Sequence, residues 1–543
     1  MFAVFNGFAA VTKARLTFFK RIDKIKLRRY HFFTSLVDET HLTILDKPQQ
    51  TFLCIIGAVI KDKGFVQNLL FAVDGDPAVF GNDVRHTTLV KFFSAKSFAV
   101  VSSDISAFAG KKHRNSEDDT QADFFHSGLL SVMQLSRQGS HGSGLSRPFF
   151  LTRRFVPCLS ETVNLDFQTT RRILCEPGSI QKLPALAREL GISRALIVTD
   201  HGIFQSALHE RATSALKMGD VNFAVEHNVV ADPPEAVVLE AVTKARALRI
   251  DGVIGFGGGS SMDVAKVIAT LVPSQQSIQQ IYGVGNVRGR RLPLIQVPTT
   301  AGTGSEVTPI AIITTGATTK TGIVSPQLLP DIALLDANLT LGLPPHVTAA
   351  TGLDAMVHAI EAYTSKIKKN NYSDLLAREA LRLLSANLLT AVRHGDDLEA
   401  RQAMLYGAML AGQAFANAPV AAVHALAYPL GGHYHISHGL SNSLMLPHVL
   451  RFNMPVAEKR YAELCGFIPS VNGIAPSGEK FVDILMSLIA ETGIPHTLKA
   501  VNVPRTDLPM LARDAMLQQR LLVNNPREVT EADALRLYEE AWG

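Results

Sequence analysis

Residues 252–269, GVIGFGGGSSMDVAKVIA, run from an apolar strand through three consecutive glycines into a helical pattern. Gly257, Gly258 and Gly259 carry no side chains, so the backbone there can approach a bulky anion closely. The next helix aims its unpaired N–H groups and positive dipole end at that anion. The spacing is neither G-x-G-x-x-G nor the P-loop, so neither fingerprint applies. Ser260 and Asp263 stand three apart, which predicts Ser260 as the cap of the new helix.

The same strand–helix texture extends on both sides. RALIVTD (194–200) and PLIQVPTT (293–300) read as buried strands, and PPEAVVLEAVTKARAL (233–248) as a helix between strands. Such alternation predicts a parallel sheet covered by helices. After LGLPPHV (341–347) the strand patterns stop. SDLLAREALRLLSANLLTAV (373–392) and RQAMLYGAMLAGQAFA (401–416) are apolar at helical spacing, and Thr530 with Asp533 has capping-box spacing near the end. The expected architecture is an α/β cofactor domain with a Rossmann-like parallel sheet over residues 161–342, then an all-α domain over 343–543. A ligand is expected in the cleft between them.

Residues 1–160 are unlike the rest. Most of the 28 phenylalanines lie before residue 151, in short apolar runs with no sustained helical or strand period. LSRQGSHGSGLSRP (135–148) reads as a linker. This segment is expected to be a poorly ordered extension of unknown structure. Its first thirty residues are basic with Asp23 as their one acid, the balance of a transit peptide, though low in serine and without a clean amphipathic helix. Mitochondrial targeting is the minor reading and a cytoplasmic location the main one. Cys54, Cys158, Cys175 and Cys465 are scattered with no CxxC pair, which suggests neither a disulfide framework nor a thiolate zinc site and favours a reducing compartment. A net charge of +5 over 543 residues gives no case for nucleic acid, and no apolar run is long enough to span a membrane.

Three further features carry chemistry. Asp200 ends a strand, where a carboxylate can hold a ribose hydroxyl pair and would repel a 2′-phosphate, favouring NAD over NADP. The loop VPTTAGTGSEVT (297–308) comes after another strand, at the end where such sheets bind ligands. In GLDAMVHAIEAY (352–363), Asp354 and His358 are at i and i+4 on one helix face, close enough to share a metal ion. HALAYPLGGHYHISHG (424–439) adds four histidines. His424 lies in an Ala-rich helix, where a lone histidine is usually packed core. His433 and His435 would diverge in extended backbone, and His438 precedes Gly439 in a turn. Spacing alone does not choose among the four.

Taken in order, FGGGSSMDVAKVIA, VPTTAGTGSEVT, GLDAMVHAIEAY and VHALAYPLGGHYHISHGLSNSLMLPHV resemble the iron-containing (group III) alcohol dehydrogenase family over residues 165–543. The resemblance implies Asp354, His358, His424 and His438 as metal ligands, with His433 and His435 lining or flanking the cleft. It implies that Gly258, Gly259 and Ser260 bind the cofactor pyrophosphate with Asp263 nearby, and that Thr299, Thr300, Thr303 and Lys320 lie at the cofactor. Asp200 would meet the adenosine ribose. Many members have a second histidine four residues after the third ligand, proposed as a proton relay. Here that position is Tyr428, a poorer relay at neutral pH.

The resemblance thus implies an NAD-dependent dehydrogenase with Fe²⁺ (or Zn²⁺), acting as a homodimer on a small alcohol or carbonyl substrate. The metal is a Lewis acid that lowers the alcohol's pKa, and hydride passes to the nicotinamide. Rival readings are a sugar-phosphate cyclase of the dehydroquinate synthase type, a metal-independent reductase of the maleylacetate type, and a hydroxyacid–oxoacid transhydrogenase. A non-catalytic role, with the extension blocking the cleft, is a fourth.

Overall fold

The computed structural model describes residues 42–45, 51–60, 65–74, 91–92, 165–316, 318–469 and 475–543. The chain divides into two compact units, Met1–Phe155 and Val156–Gly543. In the first, strands β1 (Leu42–Leu45), β2 (Thr51–Ile60), β3 (Phe65–Asp74) and β4 (Lys91–Phe92) form an antiparallel sheet in sequential order. The sequence offered no strand period here. TFLCIIGAVI is apolar at consecutive positions instead of alternating, a pattern that periodicity cannot assign. The basic first thirty residues and the 135–148 linker lie outside the described residues.

The second unit begins with an α/β region. Its elements are β5 (Arg172–Cys175), α1 (Leu183–Glu189), β6 (Arg194–Asp200), α2 (His201–Gln205), α3 (Glu210–Met218), β7 (Asn222–Val229), α4 (Glu235–Ala247), β8 (Gly252–Gly257) and α5 (Gly259–Leu271). Then come α6 (Ile278–Ile281), β9 (Gly283–Val284), β10 (Leu294–Pro298), β11 (Ile310–Thr315), β12 (Thr319–Val324) and β13 (Ile332–Leu335). Six strands make a wholly parallel sheet in the order β5-β13-β10-β8-β6-β7. Alternate residues of β6 enter opposite cores. Leu196 and Val198 pack with Val253 and Leu294 on one face, and Ala195 and Ile197 with Ile254 and Ile295 on the other. Covered on both faces, the strands read as continuous apolar runs.

Because β10, β8 and β6 are neighbours, the loops after them are neighbours too. Asp200, the glycine loop and the Thr/Gly loop therefore meet at one edge of the sheet. The sequence did not reveal the antiparallel hairpin β11–β12, which β9 joins in parallel.

The rest is helical: α7 (Pro345–Thr364), α8 (Asn371–Arg393), α9 (Leu398–Asn417), α10 (Ala422–Tyr434), α11 (His438–Cys465), α12 (Gly478–Thr492), α13 (Leu508–Met516), α14 (Gln519–Leu522) and α15 (Glu531–Trp542). Thr530 and Asp533 form the expected capping box on α15. Two backbone approaches join the Thr/Gly loop to this helical layer. A Cβ on Gly304, whose φ is +60°, would lie 2.5 Å from Gly412 Cα on α9, and one on Gly302 would lie 2.8 Å from Thr351 Cβ on α7. Among the described residues no helix is long and apolar enough to cross a membrane.

Candidate metal centre and cofactor cleft

Asp354 and His358 occupy adjacent turns of α7, as i,i+4 spacing requires. His424 lies in the first turn of α10, and His438 is the first residue of α11. Each of the four offers a ligand atom, and these atoms all lie within 4.8 Å of one another. Nε2 of His438 is 3.5 Å and Nε2 of His424 3.9 Å from Asp354 Oδ1, and His358 Nδ1 is 4.0 Å from Oδ2. The rings of His358 and His424 stack at 4.8 Å, and Phe415 stacks on His358 at 4.3 Å.

Of the four histidines left open in 424–439, two join the group and two do not. His433 and His435 are not extended: His433 is helical, and His435 ends α10 in the left-handed conformation at φ 55°. His433 turns to Asp514 at 2.6 Å, and His435 is exposed; neither lines the cleft. His438 stands at a helix start rather than in a turn. Its neighbour Gly439 explains its reach, because a Cβ there would fall 2.2 Å from the Ala350 carbonyl oxygen on α7. Without that side chain, α11 comes close enough to place His438 beside Asp354.

Three partners went unrecognised in the sequence. Glu361 Oε2 lies 2.6 Å from His424 Nδ1, while its other oxygen accepts the Val423 backbone N–H at 2.7 Å. That contact sets Nδ1 as the protonated nitrogen and leaves the Nε2 lone pair facing the group. Asn442, one turn along α11 from His438, donates from Nδ2 to Asp354 Oδ1 at 2.6 Å and stands 3.2 Å from Nε2 of both His424 and His438. Gly439 is the third.

The donor set fits a divalent cation. Burial lowers His358 to about 3 and His438 to about 4. Although burial opposes it, the adjacent histidines His358, His438 and His424 and the Asn442 amide hold the Asp354 carboxyl below its ordinary value. At neutral pH the His358 and His438 imidazoles are thus neutral and the carboxylate charged, the forms that bind metal. The buried His358 Nδ1 has no hydrogen-bond partner among the described residues, a cost that a cation removes. Imidazole with carboxylate suits iron, zinc or nickel.

The metal group opens into a cleft that Gly259, Ser260, Asp263, Thr303 and Lys320 also line. Asp200, Gly258, Thr299 and Thr300 lie away from that lining. Gly258 is the N-cap of α5 with extended backbone, and Gly259 faces Thr303, whose Cγ2 would be 2.8 Å from a Cβ. The expected Ser260–Asp263 cap does not form. Asp263 instead accepts from Ser305 Oγ at 2.6 Å and from the Ile312 backbone N–H at 2.9 Å, and lies 3.7 Å from the buried Lys266. Lys266 in turn donates to Ser305, Thr308 and the Ile310 carbonyl, so this cluster ties α5 to the loop after β10. Asp200 caps α2 by accepting from Ile203 N at 3.0 Å, leaving Oδ2 3.4 Å from Ser261 Oγ. Lys320, on β12, pairs with Asp232 at 2.6 Å. Tyr428 borders the cleft with its ring 6.0 Å from that of His438, and burial pushes its phenol above the ordinary value.

Comparison with known proteins agrees with this geometry. Residues 170–337 match the family model described as iron-containing alcohol dehydrogenase, and residues 348–542 match that of the Fe-containing alcohol dehydrogenase family, C-terminal. The chain is 40% identical over 371 residues to long-chain-alcohol dehydrogenase 1 of Geobacillus thermodenitrificans (strain NG80-2), covering 67% of this chain and 93% of that one. It is 32% identical to the NAD-dependent methanol dehydrogenase of Bacillus methanolicus, over 67% of this chain and 96% of that one. Among solved structures, a 1,3-propanediol oxidoreductase superposes with a TM-score of 0.67 at 33% identity, covering 69% of this chain and 99% of its own. Two family models that together span most of residues 170–542, and relatives matched over nearly their whole length, show that the chain belongs to the iron-containing alcohol dehydrogenase family.

Proposed function

We propose that this chain is a metal-dependent alcohol dehydrogenase that moves a hydride between NAD and a small alcohol, aldehyde or ketone. The observation that carries it is that His358, His424 and His438, grouped with Asp354, line the same cleft as Gly259 and Ser260. In this reading residues 161–342 hold NAD and residues 343–543 hold Fe²⁺, with Zn²⁺ as an alternative occupant. When bound, the metal supplies Lewis acidity that makes the substrate hydroxyl more acidic, and the nicotinamide accepts the hydride.

The protein's own residues then position. Gly258, Gly259 and Ser260 receive the pyrophosphate at the start of α5, with Asp263 close by. Thr299, Thr300, Thr303 and Lys320 border the rest of the cofactor, and Asp200 meets the adenosine ribose. Support for NAD over NADP comes from Asp200, which would face a 2′-phosphate with like charge, and from the NAD-dependent relative. Glu361 and Asn442 orient the ligands. Phe415, Val420 and Ile312 form an apolar wall that excludes water from the reacting carbon. This reading takes the chain as a cytoplasmic homodimer, which sedimentation and fractionation test.

The test is NADH formation by metal-stripped protein with a panel of small alcohols, before and after anaerobic addition of Fe²⁺. Absorbance should rise only with metal, and His438→Ala should abolish the rise. NADH formation that survives both metal removal and His438→Ala would remove the metal from the mechanism.

A further inference from the structure

The cleft holds a cation that neither the metal group nor the cofactor loops account for. Arg520, on the short helix α14, stands exposed at the mouth of the cleft. Its position is built. Leu521 and Leu522 are buried, and Asn524 Nδ2 donates both to Arg520 O and to Val420 O at 3.0 Å, tying α14 to the segment that leads into α10. The guanidinium rests over Gly322 of β12, where a Cβ would come within 3.4 Å of Nη2. It is also within hydrogen-bonding reach of the Tyr428 hydroxyl.

The other charges of the cleft are matched. Lys320 holds Asp232, and Asp263 is hydrogen-bonded and lies beside Lys266. Asp354 belongs to the metal group. Among the described residues no carboxylate lies within ion-pair distance of Arg520. The same cleft is lined by Tyr428, whose ring is 6.0 Å from that of His438, by Phe415, which stacks on His358, and by the apolar Ile312 and Val420. A molecule held in that cleft has metal ligands, hydrocarbon and an unmatched, forked cation around it.

We infer that Arg520 is a specificity-determining residue, and that the substrate is a short-chain ω-hydroxy acid, or its aldehyde, whose anionic end docks on the guanidinium while the carbinol carbon faces the metal group. The inference rests on the dehydrogenase reading above and deepens it. The fork of a guanidinium accepts a carboxylate or sulfonate through two parallel N–H bonds, which fixes the distance of the acid from the reacting carbon as well as its charge. The reaction balances as before: the carbinol carbon gives its hydride to NAD and the hydroxyl its proton to solvent, leaving an aldehyde acid.

The experiment compares kcat/KM for 3-hydroxypropionate, 4-hydroxybutyrate and 5-hydroxypentanoate with the diols of equal length, using the full-length, metal-loaded protein. The wild type should prefer the acid at one or more lengths. Arg520→Gln should lower that acid-to-diol ratio by about tenfold to a hundredfold, mainly through KM, and Arg520→Lys should recover part of it. The ratio should also fall as salt rises, since the guanidinium is exposed. Diol oxidation without acid preference, or an unchanged ratio in Arg520→Gln, overturns the inference and leaves the dehydrogenase reading intact. If neither series yields NADH, the dehydrogenase reading fails, and calorimetric titration with 4-hydroxybutyrate still decides. Binding that Arg520→Gln abolishes supports the anion site, and absence of binding to the wild type overturns it.

Discussion

The Glu361 carboxylate holds Nδ1 of His424 at 2.6 Å in a fully buried setting, and so decides which nitrogen of that ring faces Asp354. Carboxylate–histidine pairs of this kind raise ligand basicity and fix ring orientation. Glu361→Leu should weaken metal binding by about 10- to 100-fold. Glu361→Gln, which keeps an acceptor but not the charge, should lose less. Chelator competition with Fe²⁺ or Zn²⁺ measures both, and equal affinity in wild type and Glu361→Leu would reduce the contact to packing.

Metal affinity should depend weakly on pH near neutrality. Protons compete with a metal only where the ligands titrate, and burial has moved His358 to about 3 and His438 to about 4. Lowered values shift that competition to lower pH, so binding persists on acidification and fails only as these values are approached. Between pH 7 and pH 6 His358 and His438 should contribute almost nothing to the fall in affinity, against roughly tenfold for two imidazoles of ordinary pKa. Titrations at the two pH values, and proton release on binding, check this.

Tyr428 should not shape the pH profile in the physiological range. Burial pushes its phenol above the ordinary value, so it stays protonated where the enzyme would work. Tyr428→Phe should keep the form of the kcat/KM–pH profile below pH 9. Tyr428→His should add a limb near the imidazole range. A limb lost in Tyr428→Phe would make the phenol a proton relay after all.

Gly412→Ala tests the contact between the Thr/Gly loop and α9. Alanine suits a helix better than glycine by about 0.5–1 kcal/mol. Here, however, its Cβ would lie 2.8 Å from Gly304 Cα and 3.0 Å from the Gly304 carbonyl oxygen. Backbone cannot swing aside as a side chain does, so the clash should prevail, destabilising by about 1–3 kcal/mol. Thermal unfolding should show a lower Tm, and the KM for NAD should rise. A raised Tm would mean that the loop yields.

Much of this architecture is legible in the residues alone. The strand at 194–200 has the same bounds in the sequence pattern and in the structure, because both faces of a parallel sheet are buried and its middle, Ala195–Val198, is a continuous apolar run. Asp354 and His358 are legible as a pair because helical spacing forces them together. His424 and His438 are not separable from His433 and His435 by spacing. The deciding turn depends on the left-handed backbone of His435, which lets α11 start at His438. Glu361 and Asn442 are hidden for another reason. A Glu or Asn in a helix ordinarily faces water, and only the packing of α7 against α10 and α11 makes them partners of the metal group. Ser260 has the spacing of a cap, but the cap is Gly258, two residues earlier, and Asp263 is drawn to Ser305 instead.

The approaches of Gly304 to Gly412 and of Gly302 to Thr351 bind the Thr/Gly loop, where the proposed function places the cofactor, to the helices that carry Phe415, Asp354 and His358. Where two main chains touch, no rotamer is available to absorb a change. The distance a hydride must travel is therefore written into the backbone, whereas the far end of the cleft is lined by side chains such as Tyr428 and Arg520. Exchanging those side chains can alter which molecule is accepted while the transfer distance stays the same. A scaffold divided in this way can drift from one alcohol to another without relearning its chemistry.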